Sequence, residues 1–577
     1  MRLKVSKSKN AASLYVIKSV YNPKTQKNTS VVVEKLGTEA ELREKLDGRD
    51  PYEWAKEYID ELNQLEKENK RKIIIERSQS TLIPLGKQHT FNGGYLFLQQ
   101  LYHQLGLHKI CRDISAKYKF TYDLDAVLSR LVYGRVLFPS SKLNTFEASK
   151  RLLEQPTFDL QHVYRSLNVI ADESDFIQSE LYKNSLSVSV RNDRVLYYDC
   201  TNYFFEIEQE EGIKQYGYSK EHKPNPLVGM GLFMDGDGIP LAFCIHNGNT
   251  NEQVTLKPLE KQIIKDFELS DFVVCTDAGL SSTANRKFND FGNRSFITTQ
   301  SVKKLKKHLK EWALDPTGWF HPASDEPFDI SRFDDDQSLY EAYKKVTFYK
   351  ERWIKEDGLE QKLIVTYSLK YRDYHREIRT RQIERATKLI NNNPDRIGKK
   401  RQNDFKRFIS TVNVTEDGEK AENAVHYLDE GTIAEEAMYD GFYAVCTNLE
   451  DDAPEVARIN HRRWEIEECF RIMKSEFKAR PIFLRRDDRI KAHFTTCFLA
   501  LILYRYLEKR LDNKFTTDEI VGQLRDMNFY SVPGQGYIPS YTRTDFTDVL
   551  HDAFDFRTDY QIVGEKEMKK IYRNTKK

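Results

Sequence analysis

The sequence predicts a mixed α/β protein whose sheet is assembled from two separated stretches of chain. Three observations carry that prediction. Helical apolar spacing over residues 93–190 gives way at Arg194 to dense β-formers. Strand and helix patterns then alternate to residue 299. Much later, a strand at 441–447 is followed by a helix over 455–478.

The elements follow in chain order. Residues 11–36 alternate as short strands about the turn Tyr21-Asn-Pro-Lys, and residues 40–80 are charged and helix-prone (ELREKL, YIDELNQLEKENKRK). Apolar residues at helical spacing in YLFLQQLYHQLGL, LDAVLSRLVYGRVLF and VYRSLNVI make 93–190 mostly helical. Arg194–Glu206 is rich in Tyr and Phe, which suit a pleated, half-buried surface. Strands at 226–235 and 239–246 flank Gly236-Asp-Gly238, a hairpin signal. A helix (254–267), an apolar strand (272–276), a helix (282–291) and a strand (295–299) complete the run.

At 577 residues the chain exceeds one core and should hold roughly three to five domains. Hydrophobic residues make up 39%, ample for buried cores, and no run of about 18 apolar residues predicts a membrane span. The N-terminus lacks a signal-peptide apolar segment, and the seven cysteines are scattered without a CxxC pair. A cytoplasmic setting is therefore expected, and a disulfide or zinc framework is not. Net charge is only +2, but it is unevenly spread. Residues 1–33 carry seven Lys or Arg and no acid, residues 370–407 thirteen basic against five acidic, and residues 454–491 eleven against seven. Such patches, interleaved with Tyr and Phe, fit a polyanionic partner; a solvated charged face is the alternative.

Three acids stand at marked places in this frame. Asp199 lies within the first strand of the β-rich run, Asp277 just after the fourth, and Glu467 on the late helix. That order is the pattern of an RNase H-like core, with acids at adjacent strand ends and on a following helix. Asp277 and Glu467 are 190 residues apart, too far for a bare core, so an inserted domain is expected between 300 and 440. Singly, Asp277 reads as well as a helix N-cap and Asp199 as an ordinary strand-end residue. Their combination in this order carries the reading.

The late helix sharpens it. At about 100° per residue, Glu467 falls about 40° from Arg463, Lys474 about 20°, Asn460 about 60° and Arg471 about 80°. Ile459, Ile466, Phe470, Met473 and Phe477 fill the adjoining strip, so a polar row borders the buried face. A carboxylate between cations at the rim of a core suits a site for metal ions and phosphates, whereas surface ion pairing is the plainer account. Glu465 and Glu468 lie about 200° and about 140° round, off the row. His246 and His493 are read as structural histidines.

Here the residues resemble a known family. Arg463, Glu467 and Lys474 fill three of the four places in the Tyr-x2-Arg-x3-Glu-x6-Lys signature of DDE transposases of the IS-four type, bacterial insertion-sequence enzymes. Asn460 stands at the tyrosine place. Tyr198-Asp199-Cys-Thr201 and Thr276-Asp277-Ala-Gly279-Leu resemble the strands bearing the family's first two acids. Gly217-Tyr-Ser-Lys220, Gly248-Asn-Thr250-Asn-Glu252 and Arg480-Pro-Ile-Phe through His493-Phe are also family-like. The resemblance is strong over 190–300 and 440–510 and loose elsewhere.

It implies a transposase that binds terminal inverted repeats and performs metal-dependent strand cleavage and transfer. Asp199, Asp277 and Glu467 would be catalytic and hold two Mg²⁺ ions, with Mn²⁺ as a substitute, while Arg463, Lys474 and Arg471 would contact DNA. A homodimer in a synaptic complex, nucleoid association and target DNA as a second partner are further implications. The expected organisation is a basic N-terminal β/helical region (1–80) and a helical DNA-binding region (81–190), then a core in two parts (191–300 and 441–510). An insertion (301–440), whose basic segment would contact DNA backbone, separates the two parts, and 511–577 would serve dimerisation. The alternatives are an RNase H-like nuclease without strand transfer and a non-catalytic, transposase-derived DNA-binding protein.

Overall fold

The computed structural model describes residues 1–8, 11–22, 27–71, 73–75, 77–392, 397–398, 404–414 and 420–577. The chain divides into two units, Met1–Gln88 and His89–Lys577. In the first unit, β1 (Arg2–Lys7), β2 (Ala12–Asn22) and β3 (Lys27–Thr38) form an antiparallel sheet. The turn expected between β2 and β3 (23–26) lies outside the described residues. Two helices follow, α1 (Glu39–Lys45) and α2 (Pro51–Arg71). Thr38 and Glu41 start α1 with a capping box, and Leu14, Leu42 and Ala55 form a small core.

The second unit begins with β4 (Thr90–Asn92) and the expected helical region: α3 (Tyr95–Gln104), α4 (Leu107–Lys117), α5 (Leu124–Leu137), α6 (Lys142–Ser149), α7 (Leu160–Asp172) and α8 (Ser174–Ser185). Next come β5 (Val195–Phe204), β6 (Leu227–Asp235), β7 (Pro240–Asn247), α9 (Leu256–Asp266), β8 (Val273–Thr276), α10 (Thr283–Phe288) and β9 (Ser295–Gln300), in the order read from the sequence. The β6–β7 turn uses Gly238 at φ +79°, a conformation that favours glycine.

Beyond β9 lie α11 (Lys307–Leu314), β10 (Trp319–His321), β11 (Ser324–Phe328), α12 (Arg332–Asp335), α13 (Gln337–Tyr343), β12 (Thr347–Glu356) and β13 (Leu359–Ser368). They are followed by α14 (Leu369–Asn392), β14 (Ile409–Val414), β15 (Lys420–Leu428) and α15 (Glu430–Ala437). The chain then returns with β16 (Phe442–Thr447), α16 (Ala453–His461), α17 (Trp464–Ser475) and α18 (Asp487–Arg510). It ends with α19 (Thr517–Asp526), β17 (Asn528–Val532), β18 (Gly536–Pro539), α20 (Asp545–Phe554), β19 (Val563–Gly564) and α21 (Glu565–Asn574).

Ten strands form one mixed sheet in the order β11-β10-β12-β13-β16-β9-β8-β5-β6-β7. Only β5–β8 and β8–β9 pair in parallel; the other neighbours are antiparallel. Strands from 301–440 therefore continue the central sheet, β13 pairing with β16 from Lys362 to Tyr367, while β14 and β15 form a ladder of their own. Side chains alternate across the sheet. Tyr197 and Tyr203 of β5 enter the large core with α17 and α18, whereas Leu196, Tyr198 and Cys200 pack with α9 on the other face. Gly231 of β6 lies so close to Tyr198 that a Cβ there would overlap its hydroxyl.

α18 is the spine of the large core. Its residues from Ala492 to Leu507 are buried without interruption, the polar His493, Thr495, Thr496 and Arg505 among them, and it packs on α3, α5 and α7. No helix among the described residues is long and apolar enough to cross a membrane.

The helix expected over 455–478 is in fact two. The N–H groups of Arg462, Arg463, Glu465 and Ile466 bond to carbonyls three residues back, a tighter winding than the α-helix. His461 thus closes α16, with Asn460 in its last turn, and Arg463 stands at the cap of α17, so a single wheel does not run through both. The 511–577 region joins β17, β18 and β19 to β4 in a second sheet.

Candidate active site

β5 and β8 run in parallel with Tyr197 opposite Cys275. Asp199 and Asp277 each lie two residues further on, so they are level with each other, Asp199 midway along β5 and Asp277 just past the end of β8. Strand alternation puts them on the face of Tyr197 and Cys275. That face carries α16: the Tyr197 hydroxyl donates to the Ile459 carbonyl at 2.8 Å.

The Asp199 carboxylate is half-buried and accepts the Cys200 N–H at 2.7 Å. Burial pushes its pKa up from 3.8 to about 6, Lys220 and Arg463 pull it down, and the charge of Asp277 pushes it further up. Asp277 accepts the Leu280 N–H at 3.0 Å, and the cap of α10 is Ser282, not Asp277.

Arg463 is mostly buried, which works against its charge; Tyr443, Asp199 and Asp277 outweigh that and hold the guanidinium above its ordinary pKa. Its Nη1 lies 3.6 Å from Glu467 Oε1, and its buried Nε has no partner among the described residues. Asn460 donates through Nδ2 to the Tyr443 hydroxyl at 3.0 Å, and that hydroxyl shares a 2.8 Å hydrogen bond with Thr299. The residue that departs from the signature therefore anchors a tyrosine from β16 within electrostatic reach of Arg463. Tyr443 was not legible as a site residue, because only the sheet order brings β16 there.

Two lysines approach Asp199. The Lys220 ammonium donates to the Cys200 carbonyl and lies 3.4 Å from Glu252. Burial opposes the Lys220 charge, but Asp199 and Glu252 raise its pKa on balance. Both residues stand in the family-like stretches, and neither has a role that local sequence signals reveal. Lys474 pairs with Glu221 at 3.4 Å and lies 5.3 Å from the centre of the Tyr203 ring. Burial and the charge of Lys220 lower its pKa to about 8, against the pull of Asp199. Glu221 also bonds Arg480.

Glu467 differs from the strand acids. Its side chain is 60% exposed, and Arg463 is its ion-pair partner. No three His, Cys, Asp or Glu side chains converge as a metal-holding group among the described residues. The structure thus brings Asp199, Asp277 and Arg463 together and leaves Glu467 on the arginine. The neighbouring glutamates are engaged elsewhere, Glu465 with Arg462 at 2.8 Å and Glu468 with Arg471 at 3.1 Å. Buried His493 shares a 2.9 Å hydrogen bond with the Ala479 carbonyl through Nε2, a structural role.

The basic segment 370–407 is partly neutralised from within the fold. Arg372 pairs with Asp334 at 2.9 Å, Arg379 with Asp440 and Arg407 with Glu436 at 2.7 Å. Arg396, Lys399, Lys400 and Arg401 lie outside the described residues. A cavity of about 760 Å³ borders the arginine, lined among others by Tyr349, Tyr371, Tyr443, Asn460, Trp464 and Glu467. Residues from 301–440 thus form one wall of this cavity.

Residues 203–503, more than half of the chain, match the family model described as Transposase DDE domain. The match contains Asp277 and Glu467 and begins just after Asp199. No curated protein matches the chain. Among solved structures, the cryo-EM structure of a piggyBac transposase synaptic complex with hairpin DNA is similar at 9% identity, over 76% of this chain and 80% of that one, with a TM-score of 0.35. By the extent of the family match, the chain belongs to the transposase DDE domain family.

Proposed function

We propose that the chain is a DNA transposase of the IS-four-like type, binding the terminal inverted repeats of an insertion sequence and cutting and joining strands at Asp199, Asp277 and Glu467. The observation that carries this reading is the pair Asp199 and Asp277 side by side on adjacent parallel strands, with Arg463 charge-coupled to both. The strand order β7-β6-β5-β8-β9, with its parallel centre, supports an RNase H-like core with residues 301–440 inserted.

Two hard carboxylates, one of them poorly solvated, fit divalent cations of the Mg²⁺ type, and Glu467 would complete the set on release from Arg463. Bound there, a pair of such ions supplies charge stabilisation to the scissile phosphate and activates the attacking oxygen.

The protein's own groups have separable tasks. Asp199 must give up its proton to act as a ligand, and Lys220 and Arg463 favour that ionised form. Arg463 offers a planar fork to a phosphate near the acids, and Lys474 exchanges Glu221 for a phosphate. Arg471, at the exposed end of the row, adds a backbone contact. The helices of 81–190 and the basic N-terminal segment supply further, sequence-independent affinity. Pairing two transposon ends calls for a dimer, with 511–577 as its contact region.

Pre-cleaved transposon ends incubated with the full chain, target DNA and Mg²⁺ should give joined products, and Asp199→Asn or Asp277→Asn should give none. Cleavage without any joined product would identify a nuclease. Unchanged joining by both variants would move the chemistry away from these acids.

A further inference from the structure

A second charged site lies outside the acids, where α5, α6, α18 and the segment after α17 meet. A cavity of about 40 Å³ is lined there by Arg135, Ser140, Ser141, Lys142, Phe483 and His493 among others. One water needs roughly 10–15 Å³, so the space admits a group of a few oxygens. Arg135 is 3% exposed and Lys142 5% exposed.

Neither cation has an anionic partner among the described residues, although Arg135 also reaches the Lys478 carbonyl at 3.3 Å. Arg135 uses Nη1 on the Phe477 carbonyl at 3.0 Å and Nη2 on the Ser140 carbonyl at 3.0 Å, yet its buried Nε bonds nothing among the described residues. The Lys142 ammonium makes no hydrogen bond or ion pair among the described residues. No carboxylate lines the cavity, and the charge that bears most on Lys142 is the like charge of Arg135. Burial, with that repulsion, brings the Lys142 pKa down to about 7. His493 adds no negative charge, since its ring is buried and its Nε2 is engaged by the Ala479 carbonyl at 2.9 Å.

Two buried cations with free donors and no anion are costly unless something supplies the missing charge. The first residue of α6 is Lys142 itself, and Ser140, Ser141 and Lys142 all line the cavity, so the positive end of an eight-residue helix adjoins it at the Ser141 cap. Phe483, 69% exposed, stands among the lining residues.

We infer that this cavity is an oxyanion site that takes a phosphate group through Lys142, the Arg135 Nε–H and the start of α6. The same chemistry is offered by a DNA backbone phosphate and by free inorganic phosphate. The free-phosphate arm stands independently of the transposase reading; the DNA arm rests on it.

The test uses the full chain, wild type and Lys142→Met, which preserves the bulk of the stem and removes the charge. Thermal unfolding is followed in chloride and in inorganic phosphate at matched ionic strength. Wild type should gain several degrees in phosphate by ligand linkage and Lys142→Met should gain none, while Lys142→Met in chloride should be at least as stable as wild type. Binding to a short linear duplex is then measured against salt. A loss of about one unit in the log–log slope for Lys142→Met assigns the site to a DNA phosphate. An unchanged slope with the phosphate effect intact assigns it to free phosphate. Equal phosphate gains in both proteins, or none in either, would overturn the site. Arg135→Lys, which keeps the charge and loses the Nε donor, should weaken the phosphate response without abolishing it.

Discussion

The two kinds of acid in this site are held in opposite ways. Asp199 is built into a strand of the central sheet, half-buried, hydrogen-bonded to its own backbone and raised in pKa by its surroundings. Glu467 stands on the first turns of a helix, exposed and paired with one arginine. The sheet fixes its carboxylates before any ligand arrives, whereas the helix offers one that can change partners. Such a division suits a site that must be rigid where charge is concentrated and adjustable where substrate enters.

Substitutions at the two positions should separate chemistry from stability. The largest effect is on strand cleavage, where charge stabilisation by bound cations is worth several kcal/mol and each 1.36 kcal/mol is about tenfold. Asp199→Asn and Glu467→Gln should both reduce single-turnover cleavage by roughly 10³-fold or more. Retention of cleavage by Glu467→Gln alone would confine the chemistry to the strands.

Next in size is packing beneath the helix. Phe470→Ala should lower unfolding free energy by about 3–5 kcal/mol, as for other buried aromatic truncations, while Glu467→Ala one turn away should change it by about 0.5 kcal/mol or less. Denaturant titration of the second unit's transition compares them directly.

A smaller effect is expected at the link between sheet and helix. Tyr443→Phe leaves the Asn460 amide without its 3.0 Å acceptor and should cost about 1–3 kcal/mol in cleavage or stability. A double-mutant cycle with Arg463→Lys should show coupling; strict additivity would remove Tyr443 from the site.

The smallest is a pH effect confined to the strand acid. The native Asp199 carboxyl titrates near pH 6 against 3.8 for the unfolded chain, so between those values the native state keeps a proton that the unfolded chain has released. Stability in chelator should therefore fall as pH rises from about 4 through about 6, and Asp199→Asn should remove that fall. The gap in unfolding temperature between Asp199→Asn and wild type should widen in favour of Asn from pH 5 to pH 8.

Legibility in the sequence follows the same division. The run from β5 to β9 was readable because alternation, a Gly-rich turn and short apolar strands are local signals. The placing of Asp199 and Asp277 near each other needed only the order of those strands. The break at Arg462 and Arg463 was hidden, since both residues keep near-helical angles and only the hydrogen-bond pattern changes. Residues 301–440 were legible as an interruption but not as strands of the same sheet, because pairing between β13 and β16 leaves no local trace. Tyr443 and Glu221 escaped for that reason too: Tyr443 meets Thr299 across 144 residues and Glu221 meets Lys474 across 253.

The short sheet joining β4 to β17 has a consequence for how the protein is made. Asn92 donates to the carbonyls of Leu524 and Arg525 at 3.1 and 3.0 Å, contacts spanning 432 and 433 residues. Closure entropy for such a span must be met before the contact rewards it, so this seam forms late. During synthesis the helices from α3 to α8 wait, incompletely covered, until α18 and the C-terminal strands emerge, since α18 fills the centre they surround. The finished second unit is thus locked by its last-made segment, and a chain cut short before β17 would have its strand acids in sequence but no closed body to hold them.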